Sequence, residues 1–120
     1  MPASVALAGD ALMAIGWLAI FFVFRENSFS SATIEIADDQ RVVSTGPYAW
    51  VRHPMYAGAL LMLLGMPLAL GSWWGLLALL AMLPALIWRA FDEEKLLTES
   101  LPGYPEYRQK VRFRLIPGVW

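Results

Sequence analysis

Residues 55–88 read MYAGALLMLLGMPLALGSWWGLLALLAMLPALIW, and how this block is divided decides the fold. It runs for 34 residues without a charge, whereas one crossing of a bilayer needs about 20. Leu70-Gly71-Ser72 supplies a turn signal at its middle, and the adjacent Trp73 and Trp74 suit a membrane–water interface. The block is therefore expected to form a hairpin of two short helices, over residues 54–70 and 74–91, kinked at Pro67 and Pro84. The basic residues support this division. Arg25, Arg41 and Arg52 precede the block, and Arg89, Lys95, Arg108, Lys110, Arg112 and Arg114 follow it. A hairpin puts all nine on one face of the membrane, whereas a single span splits them three against six. The positive-inside rule prefers the hairpin, with the first helix starting outside and the charged segments in the cytoplasm.

Upstream, residues 3–24 (ASVALAGDALMAIGWLAIFFVF) form a second apolar stretch with one charge, Asp10. Its length fits a transmembrane helix, stopped by Arg25. Asp10 reads either as an interfacial aspartate or as a polar contact to another helix. Between the apolar stretches lies a polar loop, in which Thr33-Ile34-Glu35-Ile36 and Arg41-Val42-Val43-Ser44 lean towards β structure around Asp38-Asp39. A short hairpin or an extended surface loop both fit. The expected fold class is an all-α polytopic membrane protein forming one domain over residues 1–120. Its parts are a transmembrane helix (3–24), a cytoplasmic loop (25–53), a helical hairpin (54–91) and a cytoplasmic helix and tail (92–120).

Composition agrees and narrows the chemistry. The chain is 58% hydrophobic and 16% charged, against about 25% charged in soluble domains. A net charge of −1 offers no basic field for nucleic acid. The absence of cysteine excludes disulfides and thiol nucleophiles, and with a single histidine it argues against a metal site. The first residues lack the basic region and cleavage site of a signal peptide.

Two polar edges remain. The first is Gly46-Pro47-Tyr48 followed by Arg52-His53-Pro54-Met55-Tyr56-Ala57-Gly58. An Arg-His pair where a polar loop meets an apolar helix is costly unless something uses it. Pro54 suits the first helical turn, so the free N–H groups and positive dipole end of that helix face whatever binds beside Arg52 and His53. The second edge is Arg89 with Asp92-Glu93-Glu94, at the exit of the second hairpin arm. Arg89 and Glu93 are four apart and able to pair. Glu94 is rotated by about 100° from Glu93, so one glutamate could face a ligand while the other orients an arginine. Pro102-Gly103 then breaks the helix, and Tyr104, Tyr107, Arg108, Lys110, Arg112 and Arg114 form a basic-aromatic segment suited to lipid headgroups. A solvated helix end and interfacial tyrosines would explain these residues without any function.

The ordered set of Gly46-Pro47-Tyr48, Arg52-His53-Pro54-Met55-Tyr56-Ala57-Gly58, Glu93-Glu94, Tyr104, Tyr107 and Arg114-Leu115-Ile116-Pro117 resembles the isoprenylcysteine carboxyl methyltransferase family. The related phospholipid N-methyltransferases share the Arg-His-Pro-x-Tyr-x-Gly and Glu-Glu elements. The resemblance implies a membrane-embedded transferase that uses S-adenosylmethionine without the soluble Rossmann-type fold. The cofactor would sit near the cytoplasmic face, in the inner membrane of a bacterium or the endoplasmic reticulum of a eukaryote. Carried over, Arg52, His53, Pro54, Tyr56 and Gly58 match the first cofactor-binding element, Glu93 and Glu94 the second, and Tyr104 and Tyr107 the positions that close the pocket. The catalytic residues implied are His53, Arg52 and Glu94, with His53 either a base for an amine acceptor or a cofactor contact. The expected partners are the lipid bilayer and a lipophilic methyl acceptor, with no nucleic acid and no metal.

The acceptor stays open between a prenylated cysteine carboxylate, a phospholipid or small amine, and a small hydrophobic acid or thiol. Family members commonly carry further helices upstream of the catalytic region. This chain reads as a minimal member, a form lacking those helices, or one that completes its acceptor pocket as a homo-oligomer. Two other readings compete. One is a membrane reductase of the sterol-reductase kind, for which the chain is short. The other is a non-catalytic membrane subunit with structural ion pairs.

Overall fold

The computed structural model describes residues 2–27 and 42–120. These residues form four α-helices and a 3-10 turn: α1 (Ala3–Glu26), the turn (Gly46–Ala49), α2 (Pro54–Leu70), α3 (Trp73–Ser100) and α4 (Tyr104–Lys110). The described residues contain no strand. The expected β-leaning run Thr33–Ile36, the Asp38-Asp39 turn and Arg41 lie outside the described residues. Val42, Val43 and Ser44 carry no regular structure.

Local chemistry accounts for the boundaries. Pro54 occupies the first turn of α2, where its missing N–H leaves no partner unsatisfied. Gly71 closes α2 in the left-handed conformation at φ 65° and donates its N–H to the Leu68 carbonyl. Ser72 caps α3, its hydroxyl accepting the Gly75 N–H at 3.1 Å. Pro67 and Pro84 stand inside α2 and α3, each of which runs on as a single helix.

The hairpin arms are unequal. α2 has 17 residues, whereas α3 runs 28 residues to Ser100, through residues 92–97, where a helix is expected to continue beyond the hairpin arm at 74–91. No Pro or Gly intervenes, and Asp92-Glu93-Glu94-Lys95-Leu96-Leu97 offers nothing to stop a helix until Pro102-Gly103. Two helices, α1 and α3, are therefore long and apolar enough to cross a membrane, where the sequence suggested one such span and two short arms. Their exposed apolar faces, including Trp17, Phe21, Trp74, Leu77 and Trp88, fit contact with lipid. Asp10 is also exposed.

Glycines set how α1 and α2 meet. A Cβ on Gly9 would overlap Ala69 N and come within 2.6 Å of the Gly65 carbonyl oxygen. One on Gly16 would lie 2.8 Å from the Gly58 carbonyl oxygen. Rising numbers in α1 thus pair with falling numbers in α2, so the helices are antiparallel and touch backbone to backbone, as small residues permit between membrane helices. This brings the start of α2, with Arg52 and His53, to the Arg25 end of α1. There Thr45 Oγ1 donates to Glu26 Oε2 at 2.8 Å, and Asn27 Nδ2 donates to the Tyr48 hydroxyl at 3.3 Å. At the same end Leu101, Tyr104, Tyr107 and Val111 form a buried cluster, covered by Val42, Tyr48 and Leu97.

Candidate active site

Glu94 is the centre of this end of the molecule. It is 3% exposed, on the inward face of α3, and three arginines and His53 converge on it. His53 Nε2 lies 2.9 Å from Oε2, and Arg114 Nε donates to the same oxygen at 2.8 Å. Arg52 Nη1 is 3.1 Å from Oε1, and Arg108 Nη2 is 3.5 Å from it. Arg52 and His53 are themselves buried. They are held in place by the residues after α4, because the Arg52 and His53 N–H groups donate to the Phe113 and Arg114 carbonyls, each at 2.8 Å. Tyr107 adds a third tie, donating its hydroxyl to the Tyr48 carbonyl at 2.6 Å, with the Val51 carbonyl at 3.3 Å. Burial lowers the Arg52 guanidinium from its ordinary value, while the Glu94 charge opposes that shift. Burial also pushes the Tyr104 and Tyr107 hydroxyls upwards, so both stay protonated donors.

Three buried polar atoms here lack a hydrogen-bond partner among the described residues: Arg52 Nε, Glu94 Oε1 and the Tyr104 hydroxyl. Buried polar groups are nearly always satisfied, and an unmatched one costs about 1–3 kcal/mol. Arg52 Nε and the Tyr104 hydroxyl are thus buried donors without an acceptor, whereas Glu94 Oε1 keeps its ion pairs with Arg52 and Arg108. Two clefts flank Arg108 here. One of about 350 Å³ is lined by Arg52 and Thr98, and one of about 250 Å³ by Phe91, Glu94 and Thr98.

Glu93 takes the other direction, as its rotation from Glu94 requires. Its Oε2 accepts the Tyr56 hydroxyl at 2.5 Å, and Arg89 Nε donates to that same hydroxyl at 3.1 Å. Arg89 and Glu93 thus meet through Tyr56 rather than through the direct contact their spacing allowed. The Tyr56 ring stacks on His53 at 5.4 Å between centroids, which joins the two carboxylate clusters. Arg89 and Asp92 also stand at one end of an apolar groove of about 430 Å³ between α2 and α3, lined by Leu60, Leu63, Leu83 and Leu86.

The expected site residues therefore divide. Arg52, His53, Tyr56, Glu93 and Glu94 share one connected network, and Pro54 begins the helix at its edge. Gly58 faces α1 instead, where its Cβ would meet Ile20 and Gly16. Tyr104 presents an unmatched hydroxyl near Arg52 and Glu94, whereas Tyr107 ties down the loop before His53. Arg108 and Arg114 were not singled out as site residues. Arg108 lies in α4 and Arg114 just beyond it; the sequence signals at these positions are the basic-aromatic segment, which suits lipid headgroups equally well, and the Arg-Leu-Ile-Pro element at residues 114–117.

The family described as Phospholipid methyltransferase matches residues 5–102, which covers α1, α2 and α3 with both halves of the network. No curated protein matches the chain by sequence.

Proposed function

The chain belongs to the phospholipid methyltransferase family, and from that premise we propose that it transfers a methyl group from S-adenosylmethionine, bound beside Glu94, to a lipophilic acceptor. The observation that carries this reading is the pair of buried donors without an acceptor, Arg52 Nε and the Tyr104 hydroxyl, beside the buried Glu94 carboxylate. When bound, S-adenosylmethionine supplies a methyl group already activated on a sulfonium, beside an ammonium, a carboxylate and ribose hydroxyls. One acceptor and two donors fit that set. Glu94 Oε1 suits the ammonium or a ribose hydroxyl, while Arg52 Nε and the Tyr104 hydroxyl suit the carboxylate. The first turn of α2 adds backbone N–H groups and a positive dipole end. The Tyr104 ring face suits a cation.

Little further chemistry is asked of the protein. Holding two reactants in line contributes about 7–11 kcal/mol to a displacement, and a dry, preorganised site serves that end. His53 serves as an orienting group: Nε2 faces Glu94 and the side chain is 1% exposed, so it fixes the carboxylate rather than collecting a proton from outside. A carboxylate acceptor needs no base. An amine acceptor must lose a proton, and the carboxylates on that side are Asp92, which lines the groove, and Glu93, linked to Arg89 through Tyr56.

The groove between α2 and α3 supports an acceptor with an apolar chain and a polar end beside Arg89 and Asp92. The family match favours a phospholipid amine, while the order of motifs also fits a prenylated cysteine carboxylate. We place the network on the cytoplasmic face, with residues 1–120 as one membrane methyltransferase domain.

The test is methyl transfer by the purified chain in detergent from methyl-labelled S-adenosylmethionine, offered an aminophospholipid or a farnesylated cysteine peptide, with the labelled product identified. Calorimetry with S-adenosylhomocysteine accompanies it. Saturable binding lost in Glu94→Ala supports the reading. Preference for a nicotinamide cofactor would point to a reductase, and binding of neither to a non-catalytic subunit.

A further inference from the structure

The segment after α4 has no part in the reading above beyond holding a loop. We propose that Arg114 is a positioning residue for the methyl-donor site, acting through Glu94, with residues 111–120 as the strap that carries it. This rests on the reading of Glu94 as the carboxylate that binds the donor.

The strap is registered against the Arg-His motif itself. The Arg52 and His53 N–H groups donate to the carbonyls of Phe113 and Arg114, so the backbone of Arg114 is fixed relative to the two residues it must meet. The Leu115 and Ile116 N–H groups both donate to the Trp120 carbonyl, at 2.8 and 2.9 Å, which folds the segment back on itself. As a result the Arg114 guanidinium has an aromatic ring on either side in sequence. Its central carbon is 4.8 Å from the Phe91 ring centroid and 5.3 Å from that of Trp120. Stacking of this kind restrains a planar guanidinium and leaves its edge to hydrogen-bond.

That edge meets one oxygen of Glu94. Arg114 Nε and His53 Nε2 both bind Oε2, at 2.8 and 2.9 Å. Oε1 is left facing Arg52 without a hydrogen bond. The terminal torsion of a glutamate is broad and roughly two-fold, so a single contact to Oε2 would restrain it weakly. Two converging contacts fix which oxygen is committed and which is presented. Removing Arg114 leaves Arg52 and Arg108 beside the carboxylate. What is lost is therefore orientation rather than charge balance. Arg114 also lies beyond the residues matched by the family.

The experiment is calorimetric titration of the detergent-solubilised full chain with S-adenosylhomocysteine, with melting followed in parallel. Arg114→Ala is expected to weaken binding roughly 10- to 100-fold, the worth of one hydrogen bond to a charged group, with little change in melting. Millimolar methylguanidinium should restore binding and methylamine should not. Arg114→Lys, which keeps the charge but not the planar fork, should be intermediate. Arg112→Ala, at an exposed neighbour, should bind like the parent chain. Should Arg114→Ala fail to fold, the lysine variant carries the test. Parental affinity in the folded Arg114 variants, or a loss matched by lowered melting and not restored by methylguanidinium, overturns the proposal. If the parent chain binds no S-adenosylhomocysteine, the methyltransferase reading fails and takes this one with it; if the parent binds and the variants bind equally, only this one fails.

Discussion

In an ordinary helix, replacing Gly9 by Ala should stabilise the protein, because alanine is preferred there by about 1 kcal/mol. In this chain the same substitution is expected to do the reverse. The added methyl would overlap Ala69 N and sit 2.6 Å from the Gly65 carbonyl oxygen, where ordinary contact begins near 3.4 Å. Both obstacles are backbone, so no side chain can rotate away, and α1 and α2 must part by close to 1 Å. Overpacking of this kind costs about 1–3 kcal/mol. Set against the propensity gain, and with backbone on both sides placing the cost at the upper end of that range, Gly9→Ala should lower stability by up to about 2 kcal/mol, which at this size is up to roughly 10 °C in melting temperature. Gly58→Ala supplies the internal comparison. Its nearest obstacle, at 2.9 Å, is Cγ1 of the Ile20 side chain, and its nearest backbone atom is 3.2 Å away, so its loss should be smaller. The assay is thermal unfolding in one detergent, followed by tryptophan fluorescence. A Gly9→Ala protein that melts at or above the parent temperature, or below which Gly58→Ala melts, would refute the backbone-contact account of how α2 and its Arg-His entrance are placed.

Other outcomes follow from the site. Tyr104→Phe removes a buried hydroxyl that has no partner among the described residues; melting should stay level or rise, while S-adenosylhomocysteine affinity falls roughly 10-fold, and unchanged affinity would remove Tyr104 from the pocket. Tyr107→Phe strips the donor from the Tyr48 carbonyl and should cost about 1–2 kcal/mol of stability by thermal unfolding; a parental melting curve would contradict the tie. Glu94→Gln keeps the shape but leaves the buried Arg52 guanidinium uncompensated, a change worth about 3–5 kcal/mol in buried pairs. It should abolish measurable donor binding in calorimetry, so binding within 10-fold of the parent would count against it. Because the chain lacks cysteine, single substitutions Trp73→Cys and Lys110→Cys report sidedness with an impermeant maleimide. Labelling should come from opposite faces of the membrane, with Lys110→Cys reached from the cytoplasm, and same-side labelling would refute the topology.

Much of this arrangement is local and was readable in advance. Pro54, Gly71 and Ser72 each fix an element boundary through their own backbone chemistry, so α2 falls where the residues indicate. The divergence of Glu93 and Glu94 follows from helical rotation alone. What escaped depends on contacts between distant segments. Nothing in Arg112-Phe113-Arg114 announces that its carbonyls will meet the N–H groups of Arg52 and His53, since that pairing forms across some sixty residues. That the second hairpin arm and the charged helix after it form one rod long enough to cross a membrane was less plain, for a different reason. The change from apolar to charged residues at Asp92 marks a change of surroundings, and a helix can cross such a boundary unbroken. Gly9 and Gly16 share a seven-residue spacing with Gly58 and Gly65. Their meaning becomes plain only when the two backbones are seen in contact.

The unbroken run of α3 has a mechanical consequence. Trp73, at one end, is exposed beside Trp74, and Glu94 lies 21 residues along the same helix, about 31 Å away. A helix of that length is a lever. Leaning it by about 3° around its tryptophan end displaces the carboxylate by more than 1 Å, a shift large enough to matter to an in-line reaction. The tilt of a membrane-crossing helix answers to bilayer thickness, so in the topology proposed for this chain the host membrane would be one of the variables that set the geometry around Glu94.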